Sequence, residues 1–238
     1  MKITREKIFV GVFVNLVLIF IITSILLLSF GGPVLSMSDT SEYAPIYRGN
    51  TEKKQVSLMF NVYWGTEYID GILEVLKENN IKATFFIGGT WAEKNDDMLK
   101  KIYDDGNEIA NHGYFHIDHK KVGYSKNQEE ILVTERLIES ITGYRTNLFA
   151  PPLGSFSATT LKAAFDLGYK TIMWSKDTID WRDKDENLCF ARATKDLKNG
   201  DLVLMHPTEQ TLAALPRILK FYSDNGFSEV TVSQNISV

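Results

Sequence analysis

The chain has 238 residues, of which 44% are hydrophobic and 12% aromatic, and its formal net charge is −4. This length and composition fit one large globular domain with its own hydrophobic core and a short additional segment. The acidic balance argues against nucleic-acid binding, which requires a basic surface. The single cysteine excludes an intramolecular disulfide.

A transmembrane helix is predicted near the N-terminus. Residues 8–30 read IFVGVFVNLVLIFIITSILLLSF, a run without a charged side chain that is long enough to cross the roughly 30 Å hydrocarbon layer as a helix. Lys2, Arg5 and Lys7 precede it, so residues 1–7 are expected in the cytoplasm and the rest of the chain outside the cell membrane. The alternative is a cleaved signal peptide and a secreted protein, but the apolar region of such a peptide is usually about 7–15 residues long. The length of the run favours a retained single-pass anchor.

The remainder is interpreted as a linker followed by one α/β domain. Residues 31–52 are polar and contain Gly, Ser and Pro, which is typical of an extracytoplasmic linker. From residue 53 to residue 238, apolar runs alternate with amphipathic stretches, which predicts a parallel sheet covered by helices. The strand candidates are Val56–Phe60, Ala83–Ile87, Glu108–Asn111, Leu148–Ala150, Lys170–Trp174, Leu202–Met205 and Val230–Val232. The helix candidates lie near Tyr68–Asn79, Asp97–Asp105, Ser125–Thr142, Ala158–Leu167, Glu186–Lys195 and Thr211–Asn225. A closed or distorted barrel is expected, with its functional site at the C-terminal ends of the strands.

Chemically versatile side chains follow several of these strands. His112 and His116 are four residues apart in NHGYFH, a spacing that can direct two imidazoles toward one ion. The segment SKDTIDW supplies Asp177 and Asp180, and His206 follows another strand. Each histidine could instead have a purely structural role. Their convergence at one end of a parallel sheet favours a functional site.

The motifs MFNVYWG, NEIANHGYFH, LFAPPLGSF, DTIDW and LVLMHPT, in this order, resemble those of the polysaccharide deacetylases with a NodB-homology domain, carbohydrate esterase family four. The resemblance is strongest to the sporulation-associated members. It implies an irregular (β/α) barrel and hydrolysis of N-acetyl groups of amino sugars in peptidoglycan or a related cell-wall glycan. It also implies a divalent metal, commonly zinc, held by two histidines and an aspartate, with an aspartate as base and a histidine as acid.

The resemblance assigns a role to each matching position of this chain. His112 and His116 match the metal histidines. His206 matches the general acid, and Asp180 matches the carboxylate that orients it.

Three further positions match the part of the family site that binds substrate. The backbone N–H of Leu153 matches the oxyanion donor, and a leucine is acceptable there because the donor belongs to the main chain. The side chains of Trp181 and Leu204 match the apolar walls around the acetyl methyl group.

The chain departs from the family pattern at three positions. Asn61 stands where the family has its catalytic base, and an amide cannot accept a proton near neutral pH. Val62 stands at the position of the metal-binding aspartate, although sporulation-type members often lack that aspartate. Ala150 replaces an arginine that pairs with the base. Loss of the base and loss of its partner are consistent with each other, since an unpaired buried arginine would be costly.

Two places in the sequence offer a side chain that could replace the missing base or the missing metal ligand. Glu67 follows Asn61 by six residues and could supply a base, but a simpler interpretation is an acid in the first turn of a helix. Asp118 and His119 could supply a third metal ligand, but a solvated loop is the favoured interpretation. With two histidines alone, zinc would be bound weakly.

Three hypotheses about function follow from the sequence. The first is a metal-dependent deacetylase of cell-wall glycan with weak activity. The second is an inactive deacetylase-like protein that binds N-acetylated cell-wall glycan in the same groove. The third, a membrane-anchored scaffold, is disfavoured because the groove residues from His112 to His206 are retained.

Overall fold

The computed structural model describes residues 16, 17, 19, 23 and 43–237. Residues 16, 17, 19 and 23 are helical and belong to a unit over residues 1–42, whereas Tyr43–Val238 form a second compact unit. Residues 1–7 and most of the proposed membrane span at 8–30 lie outside the described residues, as does the linker up to residue 42. Of the helices within the described residues, none combines the length and the apolar character that crossing a bilayer requires.

An eight-stranded sheet organises the second unit, and every strand pair in it is parallel. The strands are β1 (Gln55–Val62), β2 (Thr84–Ile87), β3 (Glu108–Asn111), β4 (Leu148–Phe149), β5 (Lys170–Thr171), β6 (Lys176–Asp177), β7 (Asp201–Met205) and β8 (Ser228–Glu229). Their order is β5-β4-β3-β2-β1-β7-β6, with β8 beside the start of β1. Because β5 and β6 are the two ends of this order, the curled sheet stays open between them. The predicted irregular (β/α) barrel is confirmed.

The helices cover the outer face of the sheet. They are α1 (Ile69–Glu78), α2 (Gly89–Ala92), α3 (Asp96–Asp104), α4 (Tyr124–Thr142), α5 (Ala158–Asp166), α6 (Glu186–Thr194), α7 (Glu209–Asp224) and α8 (Val232–Ile236). The six predicted helices are all present, with ends within two residues of the expected positions. Helix α7 contains Pro216 and still begins at Glu209, because the Thr208 hydroxyl accepts a hydrogen bond from the amide of Thr211.

Two predicted strands differ from the structure. The C-terminal strand expected at Val230–Val232 is wrong, since pairing stops at Glu229 and Thr231 caps helix α8 with a reciprocal capping box. The strand expected at Lys170–Trp174 is shorter, and the chain makes a second strand, β6, after a break at Met173–Ser175. These ends are set by pairing with distant strands, so local sequence does not define them.

Part of the predicted linker packs on the domain. Ile46 forms a parallel bridge with Ile172, and Arg48 forms an antiparallel bridge and an ion pair with Asp201. The amide of Asn50 donates to the carbonyl of Asn235 at 2.7 Å. Residues 46–50 therefore lie against the domain.

Side chains of β1 alternate between two hydrophobic clusters. Val56, Leu58, Phe60 and Val62 belong to the large cluster between sheet and helices. Met59 faces the opposite side, in the smaller cluster that also contains Ala150. This alternation, a consequence of the two-residue repeat of a strand, determines which residues can reach the inside of the curled sheet.

Candidate active site

A cavity of about 350 Å³ opens at the C-terminal end of the sheet. Residues from six different strand ends line it: Asn61, Tyr63, His112, His116, Leu153, Gly154, Trp174, Asp177, Trp181, Leu204 and His206. Seven of the eight site residues singled out from the sequence line this cavity, and the eighth, Asp180, lies directly beneath His206. The structure therefore brings the whole predicted set together.

His206 and Asp180 form a buried, hydrogen-bonded pair. The Nδ1 atom of His206 lies 2.9 Å from Oδ1 of Asp180, whose Oδ2 accepts from the His206 amide at 2.8 Å. The hydroxyls of Thr211 and Thr208 also donate to Oδ2, at 2.7 and 3.1 Å. Burial alone would raise the pKa of Asp180, but the bonds and charge of His206 outweigh burial and lower it. The carboxylate thus stays ionised and holds the imidazole with Nε2 facing the cavity, the arrangement that a histidine acid requires.

His112 and His116 lie side by side, with ring centroids 5.3 Å apart. The Nδ1 atom of His112 is 2.8 Å from the carbonyl oxygen of Ala150, so Nδ1 carries the hydrogen and Nε2 the lone pair. That Nε2 is buried and has no hydrogen-bond partner within the described residues. Burial lowers the pKa of His112 well below its usual value. Burial, and then the charge of His206, lowers the pKa of His116 to about 4.

Asn61 is the penultimate residue of β1 and is only 5% exposed. Its Oδ1 is buried and, like Nε2 of His112, has no hydrogen-bond partner in the part of the chain that the structure describes. The amide faces the cavity at the position expected of the base. It can accept or donate a hydrogen bond there, but it cannot take a proton from water near neutral pH.

The described residues do not complete the three-ligand metal site that the family resemblance implies. Val62 is fully buried in the cluster between sheet and helices, so its side chain does not face the cavity. Across the described ranges, no group of three His, Cys, Asp or Glu side chains is arranged to hold an ion. The free lone pair of His112 and the nearby imidazole of His116 supply two ligands of the three expected.

The suggested replacement groups lie elsewhere. The Glu67 carboxylate turns away and accepts from the Thr66 amide at 2.9 Å, and backbone hydrogen bonds lower its pKa. Asp118 accepts from the Ser155 hydroxyl at 2.6 Å. The expected solvated loop is wrong for His119, which is fully buried with its Nδ1 atom 2.7 Å from Asn127 Oδ1. None of the three side chains lines the cavity.

Four residues in or beside the cavity were not given a role from the sequence. The ring of Tyr63 stacks on His116 at 3.6 Å with an interplanar angle of 17°. Trp64 lies 5.1 Å from the His206 ring, and Trp174 lines the cavity. Asp177 also faces the cavity, where burial raises its pKa. For the three aromatic residues, a position at or just after a strand is the signal that the sequence offers, and Asp177 belongs to the segment SKDTIDW already noted. Only the fold shows which of these side chains reach the cavity.

Strained backbone surrounds the cavity. His116, Leu153 and Ile179 have φ angles of 54°, 60° and 52°, in the left-handed region that L-residues rarely adopt. For a β-branched residue such as Ile179 this conformation is exceptional. Such a conformation costs free energy, and it occurs here where the chain turns sharply next to the site. Leu153 is in such a turn at the mouth of the cavity, and Ile179 is in one just before Asp180.

Helix α4 fixes the loop that carries the two histidines. The buried Oε2 atom of Glu130 accepts from the amides of Tyr114 and Phe115 at 3.0 and 2.8 Å. Oδ1 of Asn111 accepts from the Gly113 amide at 2.9 Å. These bonds occupy consecutive amides of the turn between His112 and His116, and so determine where both rings point.

A curled parallel sheet with a His–Asp pair, two adjacent histidines and an apolar mouth at its C-terminal end is the arrangement that the resemblance to the carbohydrate esterases of family four implies. The sequence profile of the polysaccharide deacetylase family matches residues 48–172. The chain belongs to the polysaccharide deacetylase family.

The known proteins that are similar to this chain include a protein named as a deacetylase and a protein described as a pseudoenzyme. The uncharacterized protein YlxY of Bacillus subtilis is 37% identical over 190 residues, which cover 80% of this chain but 60% of that protein. A peptidoglycan-N-acetylglucosamine deacetylase of Bacillus cereus is 30% identical and is covered to 71%. Among solved structures, a CE4 family pseudoenzyme from Bacillus anthracis has a TM-score of 0.80 at 38% identity, covering 82% of this chain and 69% of that one. A mutant of that pseudoenzyme is described as having restored enzymatic activity.

Proposed function

We propose that this protein binds N-acetylated cell-wall glycan in the cavity and its mouth without hydrolysing it at an appreciable rate. The observation that carries the proposal is Asn61: the position facing the reacting groups holds a neutral, buried amide. Without a base at this position, water next to the sugar keeps its proton. The structural likeness to a CE4 pseudoenzyme supports the same conclusion.

The remaining groups suit binding. Trp181 and Leu153 are 54% and 68% exposed at the mouth, where they offer apolar surface to a sugar ring. Leu204 closes the inner wall. His206, oriented by Asp180, presents its Nε2 to a polar group of the ligand.

Weak deacetylation is the second candidate function, and Asp177 is the observation that favours it. Its carboxylate lines the cavity, and burial raises its pKa, which makes it a better proton acceptor than an ordinary aspartate. Its Oδ1 is held by the amide of Ile179 at 2.8 Å. If this group replaced the missing base, activity would disappear in Asp177→Asn.

The proposed localisation is the outer face of the cell membrane, with an anchor formed by residues 8–30. The absence of charge over this run and the basic residues before it support the proposal. In the same proposal, added zinc binds His112 and His116 only weakly, since two imidazoles leave the other positions to water.

Binding of the full chain to insoluble peptidoglycan tests the proposed function. Trp181→Ala is expected to weaken binding by about two- to tenfold, because a stacked aromatic side chain contributes roughly 0.5–1.5 kcal/mol. The matched control is Phe165→Ala, which removes an exposed aromatic side chain from helix α5, outside the cavity. Equal loss in both variants, or no binding by the wild type, would reject the proposal.

A further inference from the structure

The described residues that line the cavity present hydrogen-bond acceptors and aromatic faces, and none of them carries a fixed positive charge. Among the described residues that line it there is no Lys or Arg, and Asp177 is the one carboxylate. Arg182 and Arg192, the cations near Asp177, are both bound to Asp183, at 2.9 and 2.5 Å. The position where the family resemblance implies an arginine is Ala150, which is fully buried.

Two acceptor atoms in this cavity have no donor among the residues that the structure describes. Oδ1 of Asn61 and Nε2 of His112 are both buried and have no partner within the described residues. Because Nδ1 of His112 already donates to Ala150, its Nε2 can only accept. Leaving two buried acceptors unpaired costs free energy that a ligand rich in donors would recover.

The other lining groups favour a cation. Trp174 and Trp181 supply aromatic rings, whose faces attract positive charge, and Tyr63 adds a third ring that is stacked on His116 with one of its faces. Asp177 is partly buried, and one of its oxygens is held by the Ile179 amide. A positively charged partner stabilises a carboxylate that is removed from water in this way more strongly than a neutral partner does.

We propose that the cavity binds the free, protonated amine of a de-N-acetylated amino sugar. This inference rests on the proposed function and deepens it: the glycan bound along the mouth still carries N-acetyl groups, and the sugar at the cavity has lost its own. An ammonium group offers three donors and needs no acceptor of its own, which matches two unpaired acceptors and one carboxylate. An acetamido group has one N–H and would leave one acceptor unpaired. The chain would thus recognise the product of a deacetylase.

The test compares two soluble probes, a tetramer of β-1,4-linked glucosamine and the matching N-acetylglucosamine tetramer. Binding of each to the full chain in mild detergent is measured by calorimetry at neutral pH with EDTA present. The glucosamine tetramer is expected to bind at least about tenfold more tightly, since a hydrogen bond to a charged group contributes at least that factor. Asp177→Asn is expected to remove most of this preference.

A matched control removes a carboxylate outside the cavity. Asp97→Asn lies at the exposed start of helix α3 and is expected to leave the preference unchanged. Competition by free glucosamine, but not by N-acetylglucosamine, on the wild-type protein gives a readout that does not depend on the folding of a variant.

The outcomes separate the inference from the proposed function. Tighter binding of the acetylated tetramer, or a preference lost equally in Asp97→Asn, would overturn the inference and leave the proposed function standing. If neither tetramer nor peptidoglycan binds, both are rejected. A preference for glucosamine that requires Asp177 supports the inference, and binding of N-acetylated peptidoglycan by the same protein supports the proposed function.

Discussion

Asn61 determines what the site can do. It occupies the cavity position that faces His206 and His112, yet an amide has no proton-accepting atom near neutral pH. The neighbouring machinery is retained, because Asp180 still holds His206 and the Leu153 turn still forms the mouth. Among the described residues, the site therefore has no base at position 61, while it keeps the groups on which the proposed sugar binding depends.

Restoring the base is expected to restore hydrolysis. Asn61→Asp together with Ala150→Arg should raise acetate release at least about tenfold, since a positioned general base contributes roughly 10²–10⁴ to rate. The arginine provides the partner that a buried carboxylate needs. Acetate release by the double variant is compared with each single variant, and thermal unfolding checks that the larger side chain is accommodated at this buried position. A folded double variant without any gain would contradict this account of Asn61.

Cys189 is expected to be inert in the folded protein. Its thiol lies on the buried face of helix α6, and this burial raises its pKa to about 11. Little thiolate is therefore present at pH 8, and reagent cannot reach it. Labelling with a thiol reagent should occur only as urea unfolds the chain, in step with the loss of circular dichroism.

The same pKa shift has a consequence for stability. Because the folded thiol holds its proton to higher pH than the unfolded one, this group stabilises the fold fully below about pH 9 and loses that contribution as pH rises toward 11. Cys189→Ala should weaken this part of the alkaline dependence. Rapid labelling of the native wild type at pH 8 would show that the Cys189 thiol is accessible, and it would contradict this prediction.

At the scale of elements, helix α4 acts as the support of the histidine loop. Glu130→Ala removes the acceptor for the amides of Tyr114 and Phe115. It is expected to lower the free energy of unfolding by at least about 3 kcal/mol, since bonds to a charged acceptor contribute about 1.5–3 kcal/mol each. Urea denaturation measures the change. The adjacent exposed acid provides the control, and Glu129→Ala should cost less than about 0.5 kcal/mol. An equal loss of unfolding free energy in Glu130→Ala and Glu129→Ala would contradict the role of Glu130 as the support of the histidine loop.

The helices and strands also show how much of the fold and of the site can be predicted from the sequence. Helices such as α1 and α4 were predicted closely, because an apolar stripe and end signals are local properties. The convergence of Asn61, His112 and His206 followed from the rule that parallel strands end at one edge. The stack of Tyr63 on His116 and the burial of His119 depend on loops from separate strands, and no local pattern encodes them.

At the scale of the whole molecule, residues 43–237 contain the complete sheet, its core and the cavity. The chain 43–238 is therefore expected to unfold in one cooperative urea transition of its own. Its binding of peptidoglycan should equal that of the full chain. A broad transition, or binding only by the full chain, would show that the first unit contributes to the fold or the site.

The proposed anchor is a separate prediction at this scale. The full chain is expected to sediment with membranes and to resist extraction by high salt, whereas deletion of residues 1–30 should release it. If the basic N-terminus of the full chain lies in the cytoplasm, protease added outside intact cells should digest the domain. Release of the full chain by salt alone would contradict the anchor.

The most direct test of the account is acetate release from N-acetylated peptidoglycan by the full chain, with added zinc, cobalt or manganese. The His206→Ala and Asp177→Asn variants are measured beside the wild type, and glycan binding is measured on the same samples. The account predicts binding with no acetate release above His206→Ala. Release that requires both metal and His206 would contradict it and make the protein an enzyme, with the result for Asp177→Asn showing whether Asp177 had replaced the base.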